Sequence, residues 1–176
     1  MKILIFDTET TGLPIKYNAS IYNTSNWPFI VQLSYCIFDT KQTKIILNSN
    51  SIVKVDNIPE DSIKIHGITQ EISNSKGKAI SDVLNQFNKD ARNADLLVAH
   101  NISFDKKIII VECIREDIMS IFCNKPLEYC TMKQSINLCK IERRFKDGTS
   151  YFKYPTLTEL HNHLFGYDPS GQHDAK

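Results

Sequence analysis

The chain has 176 residues, 41% of them hydrophobic, enough for one domain with a sizeable core and short for two. Its 21 Lys and Arg against 20 Asp and Glu give a formal charge of +1, which excludes a basic coat over the whole molecule, so any nucleic-acid contact must be local. Five cysteines without a C-x-x-C pair exclude a zinc or redox motif of that kind, and no stretch has the length of a signal peptide core or a membrane span. The expectation is a cytoplasmic, monomeric, single domain over residues 1–176 with reduced thiols.

Taken in order, Ile3 to Phe6 is an apolar run that predicts a central strand buried on both faces and ending at Asp7. Residues 15–28, rich in Asn, Ser, Thr and Tyr, predict a mobile surface loop. Ile30 to Phe38 and Lys44 to Val55 predict two or three more strands, with Asn48-Ser49-Asn50 as a hairpin turn. Ile80, Val83, Leu84, Phe87 and Ala91 form one apolar helical stripe. Leu96 to Ala99 predicts a short buried strand, followed by helices over Phe104 to Asp117 and Thr131 to Lys140. Thr156-Leu157-Thr158-Glu159 matches a capping box, and Gly166 suits a helix exit. Strands first, then helices alternating with another strand, predict an α/β fold: a mixed β-sheet flanked by helices.

Three clusters carry candidate chemistry. In Phe6-Asp7-Thr8-Glu9-Thr10-Thr11-Gly12-Leu13, strand alternation puts Asp7 and Glu9 on one side, about 6.5–7 Å apart along the backbone. Their repulsion is relieved by a pair of hard divalent cations about 3.5–4 Å apart, the arrangement used for phosphodiester cleavage. A turn cap and a solvated Glu account for the same pair. In Val98-Ala99-His100-Asn101-Ile102-Ser103-Phe104-Asp105 a strand runs into a helix whose first turn holds Asp105, where backbone dipoles favour a carboxylate. The third cluster, Gly171-Gln172-His173-Asp174-Ala175-Lys176, offers a histidine able to take a proton from water, or else a surface histidine in a frayed tail.

In this order F-D-x-E-T-T-G-L, A-H-N-x-x-F-D and H-D-A resemble the DEDDh exonucleases, a family that includes the proofreading subunits of bacterial replicative polymerases. Ile65-His66-Gly67-Ile68-Thr69 resembles that family's I-H-G-I-T segment, and Tyr154-Pro155-x-Leu157-x-Glu159-Leu160 with Leu164-Phe165-Gly166 resembles its approach to the last motif. The resemblance runs from Ile3 to Lys176 and implies a ribonuclease-H-like fold. It further implies two Mg²⁺ or Mn²⁺ ions held with the help of Asp7, Glu9 and Asp105, with His173 as the base. It places the backbone of Thr10 to Leu13 along a terminal-nucleotide pocket, Gly12 permitting close approach and Leu13 wedging beside the base. His66, Asn101 and Phe104 would complete that pocket, while simple packing accounts equally for Leu13 and His66. One departure stands out: the family's fourth metal-binding Asp, five residues after the histidine, falls beyond Lys176, so the natural protein is expected to continue.

The implied activity is 3′→5′ hydrolysis releasing nucleoside 5′-monophosphates from single-stranded or frayed 3′ ends, DNA favoured, in proofreading or repair. RNA trimming, and a non-catalytic module that binds nucleic-acid ends or a polymerase, are the alternatives. Arg143, Arg144, Lys146 and Lys153 interleave with Phe145, Tyr151, Phe152 and Tyr154, which reads either as a track for phosphates and bases or as a solvated loop with aromatics tucked into the core.

Overall fold

A computed structural model describes residues 1–169. Strands β1 (Lys2–Thr10), β2 (Ile30–Asp39), β3 (Lys44–Ile52), β4 (Leu96–Ala99) and β5 (Glu128–Cys130) form one mixed sheet in the order β3-β2-β1-β4-β5. β1 pairs antiparallel with β2 and parallel with β4, Ile3 facing Leu96 and Ile5 facing Val98. The parallel pairing brings the carboxyl ends of β1 and β4 to the same edge of the sheet, and both candidate carboxylate clusters start there.

Helices α3 (Ile80–Ala91) and α4 (Ile102–Arg115) join one face of this sheet in the main core. Phe87, fully buried, lies 5.5 Å from the Phe6 ring and 5.4 Å from Tyr35, whose hydroxyl donates to Asp90 at 2.7 Å. Short helices α1 (Glu60–His66) and α2 (Gln70–Lys76) close a smaller core of Val31, Ile58 and Ile68. At the end of α2 a Cβ on Gly77 would lie 2.2 Å from the Ser73 carbonyl oxygen and 2.6 Å from the Lys54 nitrogen, so only glycine fits. No helix among the described residues is long and apolar enough to cross a membrane.

The sequence and the structure differ at four places, each for a local reason. β1 is central, but along it Leu4, Phe6, Thr8 and Thr10 are buried while Ile5 is 44% exposed, because α3 and α4 pack on one face only. Asn48-Ser49-Asn50 is not a turn; it continues β3 opposite Cys36, Tyr35 and Ser34, and the Asn50 side-chain oxygen accepts from Gln32 and Ser34 across the strands. The segment Thr131 to Lys140 breaks into α5 (Thr131–Gln134) and α6 (Ile136–Cys139) at Ser135, whose hydroxyl donates back to the Thr131 carbonyl at 2.6 Å and bends the chain. Residues 15–28 form the expected surface loop, anchored at its end, with Trp27 4% exposed and Arg115 donating to the carbonyls of Thr24, Trp27 and Pro28. The basic-aromatic stretch is a hairpin of β6 (Glu142–Arg144) and β7 (Ser150–Phe152) with its aromatics exposed rather than in the core. Last comes α7 (Leu157–Phe165), with the expected capping box at Thr156 and a left-handed Gly166.

Candidate active site

Asp7 and Glu9 share one face of β1, and Thr8 points to the other, where the core begins. Between Glu9 and Thr10 a bulge ends the regular register, and the chain turns away. The Thr10 hydroxyl donates to the Gly12 carbonyl at 2.6 Å, and Thr11 exchanges two 2.9 Å hydrogen bonds with Phe29. Gly12 has φ +149°, a conformation that resists any side chain. The turn leaves Leu13 68% exposed.

From β4 the chain reaches Asn101 in the left-handed region (φ 65°), which Asn tolerates better than most residues, and α4 starts at the next residue. Asp105 then sits in the first turn of α4, 3% exposed, and its Oδ1 accepts from both the Thr8 backbone N–H (3.1 Å) and the Thr8 hydroxyl (2.8 Å). Thr8 thereby ties two elements 97 residues apart. Burial first, and the negative charge of Asp7 second, push the Asp105 carboxyl up to about 7 against the opposing pull of the Thr8 bonds. The charge of the exposed Asp7 thus acts against ionisation of the buried Asp105, and a cation is what neutralises such a pair.

The donor set is carboxylate oxygen throughout, which suits a hard divalent cation rather than a soft one. Among the described residues no three His, Cys, Asp or Glu side chains gather closely enough to hold a metal ion. The site thus fits a cation in its chemistry and in the Asp7–Asp105 repulsion, without being a closed ligand cluster. His173 lies outside the described residues. A cavity of about 400 Å³ opens beside Asp7 on the less covered face of the sheet, lined by Ile5, Cys36, Asn48, His100 and Leu157 among others. A larger one, about 680 Å³, adjoins Thr11 between Phe29, Pro59 and Arg115.

His66 closes α1 beside the same turn. Its Nδ1 accepts from the Ile68 N–H at 3.0 Å, which leaves the ring proton on Nε2. That Nε2 is buried, faces the Thr10 backbone and makes no hydrogen bond of good geometry. Burial pulls the His66 pKa below its ordinary value, so the ring is neutral at pH 7. Thr10, Gly12 and His66 are thus neighbours, and Ser62 of α1 would stand 3.9 Å from a Cβ on Gly12. Asn101 accepts from the Ser103 hydroxyl at 3.1 Å, and Phe104 packs half-buried against the main core.

Two residues without an assigned role in the sequence reading emerge here. One is Thr8, hidden because strand alternation gives the x of D-x-E no share in the carboxylate face. The other is His100, inside the A-H-N-x-x-F-D motif: its Nε2 contacts the Pro155 carbonyl at 3.1 Å and its Nδ1 the Thr131 hydroxyl at 3.0 Å. Since a carbonyl only accepts, Nε2 carries the proton, and burial lowers the pKa so that this neutral form holds.

A family model described as exonuclease, of the RNase T type, matches residues 4–168. Among solved structures, exonuclease X in complex with 5′ overhanging duplex DNA is 25% identical, with a TM-score of 0.52, 77% of this chain and 63% of that one covered. E. coli exonuclease I in complex with a dA16 oligonucleotide is 15% identical, with a TM-score of 0.68, 99% and 37% covered. The zinc-bound form of the E. coli exonuclease I complex with single-stranded DNA gives 15%, 0.71, 99% and 37%. The chain therefore spans less than two thirds of the length of these structures. No curated protein sequence matches it. With the family model spanning nearly all of the described residues, and the mixed sheet flanked by helices matching the exonuclease structures, the chain belongs to the RNase T exonuclease family, of DEDDh type with a ribonuclease-H-like fold.

Proposed function

We propose that this chain is a 3′→5′ exonuclease using two divalent cations, Mg²⁺ or Mn²⁺, to release nucleoside 5′-monophosphates from single-stranded or frayed DNA 3′ ends in proofreading or repair. The observation that carries this reading is the buried Asp105 carboxyl, raised by burial and by Asp7, at the edge where β1 and β4 both end. When bound, the cations supply Lewis acidity to the scissile phosphate and to the attacking water. Asp7, Glu9 and Asp105 would hold them, and the two Thr8 bonds fix the orientation of the Asp105 carboxylate. The backbone of Thr10 to Leu13 lies along the terminal nucleotide, and His66, packed against the Thr10 backbone, stands beside its base. Asn101 and Phe104 support that pocket from the start of α4, and His173 takes the proton of the water.

DNA is favoured over RNA because the 25%-identical exonuclease X was solved on a DNA duplex. One observation favours a non-catalytic end-binding module instead: the described residues close no three-ligand cluster. A 5′-labelled oligonucleotide incubated with Mn²⁺ decides between them, run as DNA and as RNA. The expected result is a ladder shortened from the 3′ end and a loss of at least about 100-fold in rate for Asp7→Ala, of the size seen when one electrostatic stabiliser is removed. Intact oligonucleotides of both kinds would leave the binding-module reading standing.

A further inference from the structure

The β6–β7 hairpin has a composition unlike the rest of the surface. Between residues 142 and 153 it carries four Lys or Arg and two acids, in a chain whose formal charge is only +1. Asp147 is occupied in closing the turn, accepting from the Thr149 N–H at 2.9 Å and the Thr149 hydroxyl at 2.6 Å. Among the described residues, no ion pair engages Arg143, Arg144 or Lys146. Three cations thus stand unneutralised on a two-stranded projection.

The aromatics lie with them. Arg143 pairs with Tyr151 across the hairpin, and directly opposed residues share a face. Phe145, two residues on from Arg143, stacks on Tyr151 with ring centroids 4.4 Å apart and planes at 28°. One face therefore shows a guanidinium beside a stacked, half-exposed ring pair, the combination that grips the phosphates and bases of a single strand. A buried aromatic pair would be core packing, but Phe145 is 55% exposed and Tyr151 42%.

The hairpin is fixed at its root. Lys153 donates to Glu159 of α7 at 2.7 Å and continues the hairpin by donating its backbone N–H to the Ile141 carbonyl. Pro155 is fully buried, and its carbonyl is held by His100, five residues before Asp105 in the loop that ends β4. A strand lying on the hairpin is thereby kept in a set relation to the carboxylate edge.

We infer that the β6–β7 hairpin binds the single-stranded nucleic acid upstream of the 3′ end, Arg143, Arg144 and Lys146 contacting its phosphates and the Phe145–Tyr151 pair stacking its bases. This rests on the exonuclease reading of the site. The test compares a 5′-fluorescent 20-nucleotide strand, bound to the full chain in EDTA, with the hydrolysis in Mn²⁺ of a nucleoside 5′-(p-nitrophenyl phosphate), which is too short to reach the hairpin. Arg143→Ala/Arg144→Ala/Lys146→Ala weakens 20-mer binding about 10-fold or more and lowers the slope of log K against log salt by about 2, at roughly 0.7 per phosphate lost. Phe145→Ala/Tyr151→Ala weakens binding about 10-fold with an unchanged slope. Both variants hydrolyse the ester as the parent does. Unchanged 20-mer affinity in both, or an equal loss on strand and ester, overturns the inference. A parent protein that binds the strand but never cleaves the ester defeats the exonuclease reading instead, and the binding comparison still stands.

Discussion

Thr8 and Asp105 hold the most telling pair of contacts in the molecule, because a buried acid receives two donors and is still pushed up to about 7. The sign of its effect on stability follows from linkage. Unfolded, the carboxyl titrates near 3.8; folded, near 7, so between those values the folded state holds the extra proton and stability falls as pH rises. The penalty is complete above pH 7 and absent below about 4, on the order of a few kcal/mol. Asp105→Asn keeps an oxygen for Thr8 and removes the charge. In EDTA its melting temperature is expected to exceed that of the parent at pH 8 and to converge with it at pH 4.5, while nuclease activity is lost. Parallel melting curves across that range would mean that the carboxyl is not held against its charge.

At the scale of elements, α4 does more than carry Asp105. Glu112, 2% exposed, accepts from the Ile30 N–H at 2.9 Å and pairs with Arg115 at 3.1 Å; burial raises its pKa, and the bonds from Ile30 and Arg115 oppose that rise. Arg115 also lies over the Phe29 ring at 4.0 Å and donates to three carbonyls of the loop before β2. Arg115→Ala strands a buried carboxylate and releases that loop, so a loss of about 3–5 kcal/mol is expected in urea unfolding, the cost of breaking a buried pair from one side. Glu112→Gln, which keeps an acceptor for Ile30, should cost clearly less. Near-equal losses would place the stabilisation in the pair rather than in the loop contacts, which Glu112→Gln leaves intact. This latch was invisible in the sequence: residues 15–28 have a loop composition, and their partner lies 87 or more residues away. Helix α3 and the capping box at Thr156 were legible because period and cap are local signals. Ser135 and the run Asn48-Ser49-Asn50 were misread because a hydroxyl bonding to its own helix and a cross-strand amide ladder both depend on neighbours that composition does not name.

For the whole molecule, the order of motifs was enough for the fold: Asp7 lies on β1, and Asp105 sits in the first turn of α4, directly after β4, the parallel neighbour of β1. The coverage of the sheet was not legible: the run Ile3 to Phe6 reads as buried on both sides, yet Ile5 is 44% exposed and borders the cavity beside Asp7. The carboxylate edge and this cavity together form the part of the protein whose stability should depend on added ions. A ligand at 100 times its Kd adds about 2.7 kcal/mol to the folded state. In a domain of this size that is a rise of roughly 5–10 °C in melting temperature. Mn²⁺ at millimolar concentration is expected to give a rise of this order in the parent full chain at pH 7.5, and none in Asp7→Ala. Arg115→Ala, which removes none of the proposed ligands, should start lower and still show a rise. A rise that survives Asp7→Ala undiminished would put the cation elsewhere and remove the ground for reading this edge as catalytic.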